Sequence, residues 1–557
     1  MVDFRITGNR SHAAALLKII EGQYFKELTE FLAKGGNVVV PKVLPWYPDS
    51  LAYQLNATRK DIRREEIYFK LHNFLVAETD CGSISRQETV SMIPPLVLGV
   101  EPHHKVLDMC AAPGSKTTQL MEAIHELPEG ELPAGFVVAN DSDNARCYML
   151  THQVKRLQSP CILITNHDAA CMPNIYIPDP DRPGKNTTLK FDRILCDVPC
   201  TGDGTLRKNA DIWPKWNPVN SVNLHGVQYR IAKRGLELLA IGGRMVYSTC
   251  SFNPIEDEAV LARLLQDTGD SVRLVDIKDK LPGLEYSRGL TTWQCASKEC
   301  EIYSKFEDVP EKIGKTQIRP SMFPPPPEIA KSLGLEKCAR LLPHQQNTGG
   351  FFVALLEKVA LCPWESVRKA KKEGEVGENT DDTDEKEDTP DPEPPQKKFK
   401  GQNRGFREDP IFYFEENEEV YPEIQKYFDL SLPCNLFLTR CRDETKKKNL
   451  YFTSAGVRQV VENNREKVRI INTGVKAFVR ADNKGSGCDY RIAQEGALST
   501  IPFIKNRVLR PGKEDLVRIL QSSEIERPPE VRQFTETFRA QLEAIETGSV
   551  AYVYTGM

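Results

Sequence analysis

Short apolar runs alternate with amphipathic segments through the middle of the chain, from Lys105 to Leu356. The runs are four to six residues long, as buried strands are, and the segments between them have helical spacing. The predicted strands are Lys105–Asp108, Phe136–Asn140, Cys161–Thr165, Phe191–Cys196, Arg244–Ser248 and Phe351–Leu356. The predicted helices are Thr117–Ile124, Asn144–Leu157, Val222–Leu239 and Ile255–Leu265. This alternation predicts an α/β domain at residues 99–362, with a mostly parallel sheet and helices on both faces.

The region before this domain, residues 1–98, has a different pattern. Apolar residues at helical spacing predict helices at Ser11–Leu32 and Arg59–Glu78, within a helical and mixed region. The stretch from Gly82 to Pro95 is predicted to be a helix that its prolines end.

Residues 363–405 are rich in Glu, Asp, Lys, Pro and Thr and almost free of large apolar side chains. Such a segment cannot bury enough surface to offset the entropy of ordering, so it is predicted to be a disordered acidic linker. It ends in Pro394-Pro395-Gln396-Lys397-Lys398-Phe399-Lys400, which is either a nuclear import signal or a charged linker end. Apolar alternation resumes in residues 406–557 and predicts a small α+β domain with strands at 477–480, 501–504 and 550–554.

Charge and cysteine content narrow the class of protein. The formal net charge of the chain is -4. Residues 371–395 alone carry a charge of -8, so the rest of the chain carries about +4. This mild positive excess permits a nucleic-acid partner without arguing for one. No apolar run reaches the roughly eighteen residues of a membrane span, and the first residues lack the pattern of a signal peptide, so a soluble intracellular protein is expected. The fifteen cysteines are irregularly spaced without a Cys-x-x-Cys pair, so neither disulfides nor a metal site is expected.

Polar side chains follow the first three predicted strands of the α/β domain. A loop of small residues, Cys110–Lys116, opens a helix after the first strand; it is either a ligand-binding loop or an ordinary tight turn. Asp141 follows the second strand, where an acid can bind the ribose hydroxyls of a nucleoside, and Asp168 follows the third. Because the chain has no phosphate-binding loop of the Walker type, S-adenosylmethionine fits this edge better than ATP does.

Two cysteines also follow predicted strands. Cys200 comes after Asp197-Val198-Pro199, and Cys250 after Ser248-Thr249. Each could be a small buried hydrophobic residue, but at a strand end each could also be a reactive thiolate. A thiolate that adds to carbon 6 of a pyrimidine makes carbon 5 nucleophilic, and methyl transfer to carbon 5 then needs an acid at the base edge and a proton acceptor. Asp197 and one of the cysteines are candidates for these roles.

Five groups of residues resemble the Nop/Sun family of RNA 5-methylcytosine methyltransferases, and most of all its eukaryotic tRNA branch. They are Ser85–Glu88 with Ser91–Pro95, Leu107–Thr118, Asp197–Cys200, Ser248–Ser251 with Asn253–Glu258, and Leu342–His344 with Thr348–Phe352. The resemblance implies a Rossmann-like, S-adenosylmethionine-dependent methyltransferase. It also implies the cofactor-binding residues Cys110, Ala111, Ala112, Pro113, Gly114, Ser115, Lys116, Asp141, Asp168 and Asp197.

The resemblance assigns roles to the cysteines, because this RNA family uses the cysteine of the Thr-Cys pair as nucleophile, whereas DNA cytosine-5 methyltransferases use that of the Pro-Cys pair. Cys250 is then the nucleophile, Cys200 assists release of the product, and Asp197 holds the cytosine edge. The implied partner is tRNA, and a monomer in the nucleus, including the nucleolus, is expected. The alternatives are methylation of ribosomal or messenger RNA, and an RNA-binding or scaffold protein without catalysis.

The C-terminal region resembles an RNA-binding domain of the pseudouridine synthase and archaeosine transglycosylase (PUA) type, beginning near Ala493-Gln494-Glu495-Gly496. The sequence ends at Met557, where relatives continue through further strands, and its start also looks shorter than theirs. A truncated domain that binds RNA more weakly or folds poorly is therefore expected.

Overall fold

The structure is a computed structural model and describes residues 2–128, 130–366, 408–441, 447–481, 487–521 and 529–554. The predicted linker beyond Ser366 and the basic cluster at 394–400 lie outside these residues. Within them, no helix combines the length and the apolar character needed to cross a lipid bilayer.

The N-terminal residues form a four-stranded antiparallel sheet with helices. Its strands are β1 (Val2–Ile6), β2 (Lys42–Val43), β3 (Ala52–Leu55) and β4 (Ile84–Arg86), in the order β2-β3-β1-β4. Its helices are α1 (Ala13–Ile19), α2 (Lys26–Ala33), α3 (Arg59–Arg64), α4 (Glu66–Asp80) and α5 (Ile93–Leu98). A π-helical segment, Ile20–Phe25, joins α1 to α2, and extended backbone at Glu65 separates α3 from α4, so both predicted helical regions are helical.

The predicted helix from Gly82 to Pro95 is wrong. Ile84–Arg86 is strand β4, and Pro94 and Pro95 lie in the first turn of α5. A proline there costs no hydrogen bond, because the first helical N–H groups have no partner within the helix, and its fixed φ suits the helix. The prolines therefore begin a helix and do not end one.

The middle of the chain contains the predicted strands and helices in the predicted order. Its strands are β5 (Lys105–Asp108), β6 (Phe136–Asn140), β7 (Ile162–Thr165), β8 (Tyr176–Pro178), β9 (Asn186–Thr188), β10 (Phe191–Asp197), β11 (Leu239–Thr249), β12 (Val272–Val275), β13 (Ser287–Arg288), β14 (Cys295–Ala296), β15 (Ile302–Tyr303), β16 (Ala339–Leu341) and β17 (Phe351–Lys358). Its helices are α6 (Ser115–Ile124), α7 (Asn144–Lys155), α8 (Pro218–Leu238), α9 (Glu258–Thr268), α10 (Glu311–Thr316), α11 (Pro327–Leu333) and α12 (Pro343–Gln346).

The C-terminal residues form a five-stranded antiparallel sheet, β18-β19-β20-β22-β23. The strands of this region are β18 (Phe412–Tyr413), β19 (Phe437–Thr439), β20 (Asn449–Phe452), β21 (Ile470–Thr473), β22 (Val475–Arg480), β23 (Tyr490–Ile492), β24 (Val508–Leu509) and β25 (Ala551–Tyr552). Of these, β21, β24 and β25 lie outside the five-stranded sheet. The helices are α13 (Val420–Phe428), α14 (Ala455–Asn464), α15 (Ala497–Thr500), α16 (Lys513–Gln521) and α17 (Glu536–Glu543). The predicted strands at 477–480 and 550–554 are found, but Ile501–Phe503 is a 3-10 helix, because Pro502 cannot donate to a strand ladder.

The central sheet has ten strands, with β12 beside β17 and the others in the order β13-β16-β17-β11-β10-β5-β6-β7-β21. The strands from β11 to β7 in this order are mutually parallel, and their apolar side chains are completely buried, as at Leu107, Val138, Ile194 and Met245. The sheet is therefore mixed and not mostly parallel, because antiparallel strands extend both edges of its parallel core. One of these, β21, comes from the C-terminal residues and pairs with β7.

Candidate active site

The carboxyl ends of the five parallel strands lie at one edge of the central sheet. Strands β5, β6 and β7 end at Asp108, Asn140 and Thr165, and β10 and β11 end at Asp197 and Thr249. Every residue that the sequence analysis assigned to the cofactor or to catalysis lies at or just after one of these ends. The parallel topology thus brings together segments that are up to 140 residues apart in the sequence.

The two candidate cysteines face each other. Because β10 and β11 are adjacent and in register, with Asp197 opposite Ser248, the segments that follow them leave the sheet side by side. The Sγ atoms of Cys200 and Cys250 lie 3.3 Å apart, and both are free thiols. The hydrogen bond with Cys250, together with burial, raises the pKa of the Cys200 thiol well above its usual range. Cys200 therefore keeps its proton at neutral pH and can donate it to the sulfur of Cys250.

A buried carboxylate, Glu256, holds the segments of both cysteines. It is fully buried and accepts hydrogen bonds from five donors. These are Thr201 N at 2.9 Å, Thr201 Oγ1 at 2.6 Å, Ser221 Oγ at 2.8 Å, Ser251 Oγ at 2.9 Å and Gln228 Nε2 at 3.0 Å. Thr201 follows Cys200 and Ser251 follows Cys250, so one side chain sets the spacing of the two thiols. Glu256 has no role predicted from the sequence, although it follows Cys250 within the acidic run Glu256-Asp257-Glu258.

Asp197 is fixed by two donors. Lys116 Nζ donates to its Oδ2 at 2.8 Å, and Ser248 Oγ donates to its Oδ1 at 2.7 Å. Burial alone would lower the pKa of Lys116, but the attraction of the Asp197 carboxylate outweighs it and the pKa is raised. The Lys116 ammonium also lies 5.1 Å from the centre of the Phe351 ring. The last residue of the predicted cofactor loop thus contacts the acid predicted to hold the substrate.

The loop from Cys110 to Gly114 is tied to the strand beside it. Ala111 N donates to the Asn140 carbonyl at 2.8 Å, and Ala112 N donates to Asp141 Oδ2 at 3.1 Å. Gly114 has a φ of +113°, and a side chain there would lie 2.9 Å from Leu150 Cδ1, so only glycine fits between this loop and α7. The loop ends at Gly114, directly before Ser115 begins α6.

Asp141 and Asp168 have different surroundings. Asp141 is buried, accepts from Asp143 N at 3.0 Å as well as from the loop, and its carboxylate oxygens have further lone pairs for a ligand. Asp143 caps the next helix by accepting from Arg146 N. Asp168 is exposed and accepts from Ala170 N at 2.9 Å, at the start of the 3-10 turn Ala169–Cys171. Within the described residues no hydrogen bond joins its side chain to the loop or to Asp141.

Asp108, at the end of β5, is a site residue that the sequence analysis did not single out. Thr117 Oγ1 donates to its Oδ2 at 2.7 Å, but its buried Oδ1 has no partner among the described residues. Burial raises the pKa of Asp108 to about 7. A buried carboxylate oxygen without a partner, at the strand end that leads into the loop, fits a cationic ligand, and S-adenosylmethionine carries a sulfonium and an ammonium group. The residues present therefore fit this cofactor.

Two protein-family profiles match the sequence of this chain. The profile of the family described as "16S rRNA methyltransferase RsmB/F" matches residues 95–357, and that of the "NSUN2 Pre-PUA domain" matches residues 410–505. The PUA-like region expected from the sequence is thus, over 410–505, a Pre-PUA domain. Among solved structures, a methyltransferase homolog from Pyrococcus horikoshii aligns with 64% of this chain and 86% of its own at 24% identity, with a TM-score of 0.39.

Curated relatives cover nearly the whole chain. The tRNA (cytosine(34)-C(5))-methyltransferase of Drosophila melanogaster is 49% identical, over 99% of this chain and 76% of its own. The multisite-specific tRNA:(cytosine-C(5))-methyltransferase of Saccharomyces cerevisiae is 40% identical over 93% and 74%, and the trm4b enzyme of Schizosaccharomyces pombe is 40% identical over 96% and 82%. The chain therefore belongs to the RsmB/F and Nop/Sun family of S-adenosylmethionine-dependent RNA (cytosine-C5)-methyltransferases.

Proposed function

We propose that this chain, acting as a monomer, methylates carbon 5 of cytosine in tRNA through a covalent adduct with Cys250. The observation that carries the proposal is the pair of thiols 3.3 Å apart beside Asp197, at the carboxyl edge of a methyltransferase sheet. Three relatives that match more than nine-tenths of this chain are named as tRNA enzymes, which favours tRNA over ribosomal or messenger RNA. A scaffold without catalysis would not need this arrangement of two thiols and an acid.

The reaction begins when the target cytosine leaves its helical stack and enters the pocket. The Cys250 thiolate adds to carbon 6, so that an S–C6 bond forms and the electrons of the C5–C6 double bond make carbon 5 nucleophilic. The Sγ of Cys200 lies 3.3 Å from the Sγ of Cys250, within hydrogen-bond reach of the sulfur that forms this bond.

Asp197 holds the cytosine during this step. Lys116 and Ser248 fix both of its carboxylate oxygens, and each oxygen keeps a lone pair for the exocyclic amino group of cytosine. A carboxylate held in this way distinguishes cytosine, which has an amino group at carbon 4, from uracil, which has a carbonyl oxygen there and would be repelled.

When bound, S-adenosylmethionine would supply the electrophilic methyl group that carbon 5 takes up, and its sulfur would keep the electrons of the broken S–CH3 bond as a neutral thioether. We assign its binding to Asp108, Asp141 and the loop from Cys110 to Ser115, with Asp168 at the rim. The carbon 5 proton then leaves to a base, the S–C6 bond breaks, and the ring double bond forms again. Cys200 is placed to be this base. Once Cys250 is a thioether, it no longer carries the negative charge that favours the protonated form of Cys200, so Cys200 releases its own proton to solvent and its thiolate takes up the carbon 5 proton.

Denaturing gel electrophoresis of protein incubated with tRNA and S-adenosylmethionine tests these roles. We expect the wild type to form 5-methylcytosine without a stable adduct. Cys200→Ala should accumulate a slowly migrating protein–RNA adduct, because the bond still forms but is not released. Cys250→Ala should give neither adduct nor 5-methylcytosine. The same preparation should sediment with the mass of one chain.

Other outcomes of this experiment would contradict the proposal. If Cys250→Ala accumulates the adduct, the two thiols have the opposite roles. If the folded wild type binds tRNA but methylates no cytosine, the scaffold function replaces the enzymatic one. If it methylates ribosomal or messenger RNA in preference to tRNA, the substrate assignment is wrong.

We also propose a nuclear location, including the nucleolus, with the basic residues Lys397, Lys398 and Lys400 as the import signal. A fluorescent fusion in which Lys397 and Lys398 are replaced by alanine should lose its nuclear accumulation, while the unmodified fusion keeps it. Nuclear accumulation of both fusions would show that this cluster is not the signal, and exclusion of both would contradict the location.

A further inference from the structure

Two exposed tryptophans lie beside the thiol pocket. Of the five tryptophans in the chain, Trp46 and Trp293 are buried and Trp364 is partly buried, whereas Trp213 is 68% exposed and Trp216 is 40% exposed. Both exposed residues belong to the segment 206–217, here called the tryptophan loop, which follows the Cys200 segment and ends where Asn217 caps α8. Large apolar rings held in water at one place on a surface mark a binding site for another molecule.

The tryptophan loop has a defined conformation and is anchored to the site. Its backbone makes local hydrogen bonds, including Asn209 N to the Thr205 carbonyl and Trp216 N to the Ile212 carbonyl, each at 2.8 Å. Arg207 donates to the Thr348 carbonyl at 3.0 Å and to Asn347 Oδ1 at 2.7 Å, in the segment that leads into β17. The loop therefore presents the two indoles on a fixed support, at a low entropic cost for binding.

The loop also reaches the wall of the pocket. A Cβ atom placed on Gly202 would lie 3.5 Å from Ile212 Cδ1 and 3.9 Å from Cys250 Sγ, so Ile212 and the nucleophile flank the same point. Trp213 is the next residue after Ile212. The backbone that carries Trp213 therefore starts next to a residue that flanks Cys250.

The charge of the loop favours a polyanion. Residues 207–216 contain Arg207, Lys208 and Lys215 against Asp211 alone. Lys208 lies 3.3 Å from Glu88 but its side chain is 70% exposed, and Lys215 forms no ion pair within the described part of the chain. Aromatic rings interspersed with exposed cations are the composition by which proteins bind single-stranded nucleic acid.

We infer that Trp213 and Trp216 are a stacking platform for the nucleobases that flank the target cytosine, with Lys215 at the phosphate backbone. This inference rests on the proposed function. When the target base turns out of its stack, its neighbours lose a stacking partner, and an indole at the mouth of the pocket replaces it. The platform accepts any base, because every base has a π face, so it stabilises the opened RNA without reading its sequence.

Steady-state methylation of tRNA by Trp213→Leu and Trp213→Phe tests the inference. Leucine keeps an apolar side chain but cannot stack, so we expect the KM for tRNA to rise about tenfold with an unchanged KM for S-adenosylmethionine. Phenylalanine should restore the KM for tRNA to within about threefold of the wild type. Ile241→Ala is the matched control, because Ile241 is 58% exposed on β11 at the end far from Cys250. It should leave both KM values unchanged.

Quenching of tryptophan fluorescence by tRNA, measured without cofactor, keeps the inference testable even if the proposed function fails. The wild type should be quenched, and the variant with both Trp213→Phe and Trp216→Phe should lose most of this quenching. Equal KM values for the leucine, phenylalanine and wild-type proteins, or equal quenching in the double variant, would overturn the stacking platform. A fully quenched wild type that methylates nothing would overturn only the proposed function.

Discussion

Replacing Glu256 by glutamine is expected to lower kcat for methyl transfer about a hundredfold, with little change in the KM for tRNA or S-adenosylmethionine. Glutamine has nearly the same shape as glutamate, but one carboxylate oxygen is replaced by an NH2 group. That group donates hydrogen bonds and cannot accept them, so some of the donors around Glu256 lose their acceptor. The segments after Cys200 and Cys250 would then move apart, since Thr201 and Ser251 both donate to Glu256. A displacement of about 1 Å in a reacting group costs a rate factor of that order.

The measurement is a kcat and KM determination together with the adduct assay. In a Cys200→Ala background, Glu256→Gln should slow the formation of the adduct, which a general loss of folded protein would not do after correction for active enzyme. Glu365→Gln is the matched control, because this carboxylate is also largely buried but binds Lys358 and Lys190 at the opposite edge of the sheet. If Glu256→Gln keeps the wild-type kcat, the spacing of the two thiols does not depend on this carboxylate.

The parallel core of the sheet is predictable from the sequence because its strands are buried on both faces. An apolar run that is covered on both sides reads as a strand without knowledge of its neighbours, as for Ile194 and Leu195 before Asp197. The pairing of β21 with β7 is not predictable in this way, because an edge strand from a segment about 300 residues away carries no local signal for its partner. The sequence therefore predicts the strand at Phe351–Leu356 without its antiparallel direction, and it does not predict the pairing of β21.

Most of the site residues are also predictable from the sequence, because they follow apolar runs that form parallel strands. Topology alone places Asp141, Asp197 and the two cysteines at one edge, so they could be found as acids and thiols just after apolar runs. Asp108 ends the apolar strand β5 and fits the same pattern, but the sequence does not show that one of its oxygens has no partner. Glu256 could not be recognised in this way, because its importance depends on partners from distant segments. The five donors to Glu256 come from the Cys200 segment, the Cys250 segment and α8, and the Oδ1 of Asp108 is notable only because it is buried without a partner.

Replacing Arg340 by methionine is expected to destabilise the catalytic part of the chain by about 3–5 kcal/mol. The Arg340 side chain is 8% exposed, and its Nε donates to Glu258 Oε1 at 2.6 Å. Its Nη1 donates to the Phe252 carbonyl at 2.9 Å, and its Nη2 lies 3.5 Å from Asp257 Oδ2. Without the guanidinium, Asp257 and Glu258 remain as two completely buried carboxylates without a cation, and the segment after Cys250 loses an anchor.

Urea denaturation at several pH values distinguishes this explanation from a simple loss of packing. Burial already raises the pKa of Asp257 well above its usual range. When the pKa of a carboxyl is higher in the folded than in the unfolded chain, the free energy of unfolding falls as the pH rises above the pKa of the unfolded chain. The stability lost in Arg340→Met should therefore be largest at neutral pH and smaller near pH 5. Adding Glu258→Gln should recover part of the lost stability, because one of the two uncompensated charges is removed.

Arg273→Met is the control for this prediction. Arg273 lies 2.7 Å from Glu357, but its side chain is 67% exposed, so its ion pair should contribute less than about 1 kcal/mol to stability. If both arginine variants lose the same stability at every pH, the buried charges are not what Arg340 compensates.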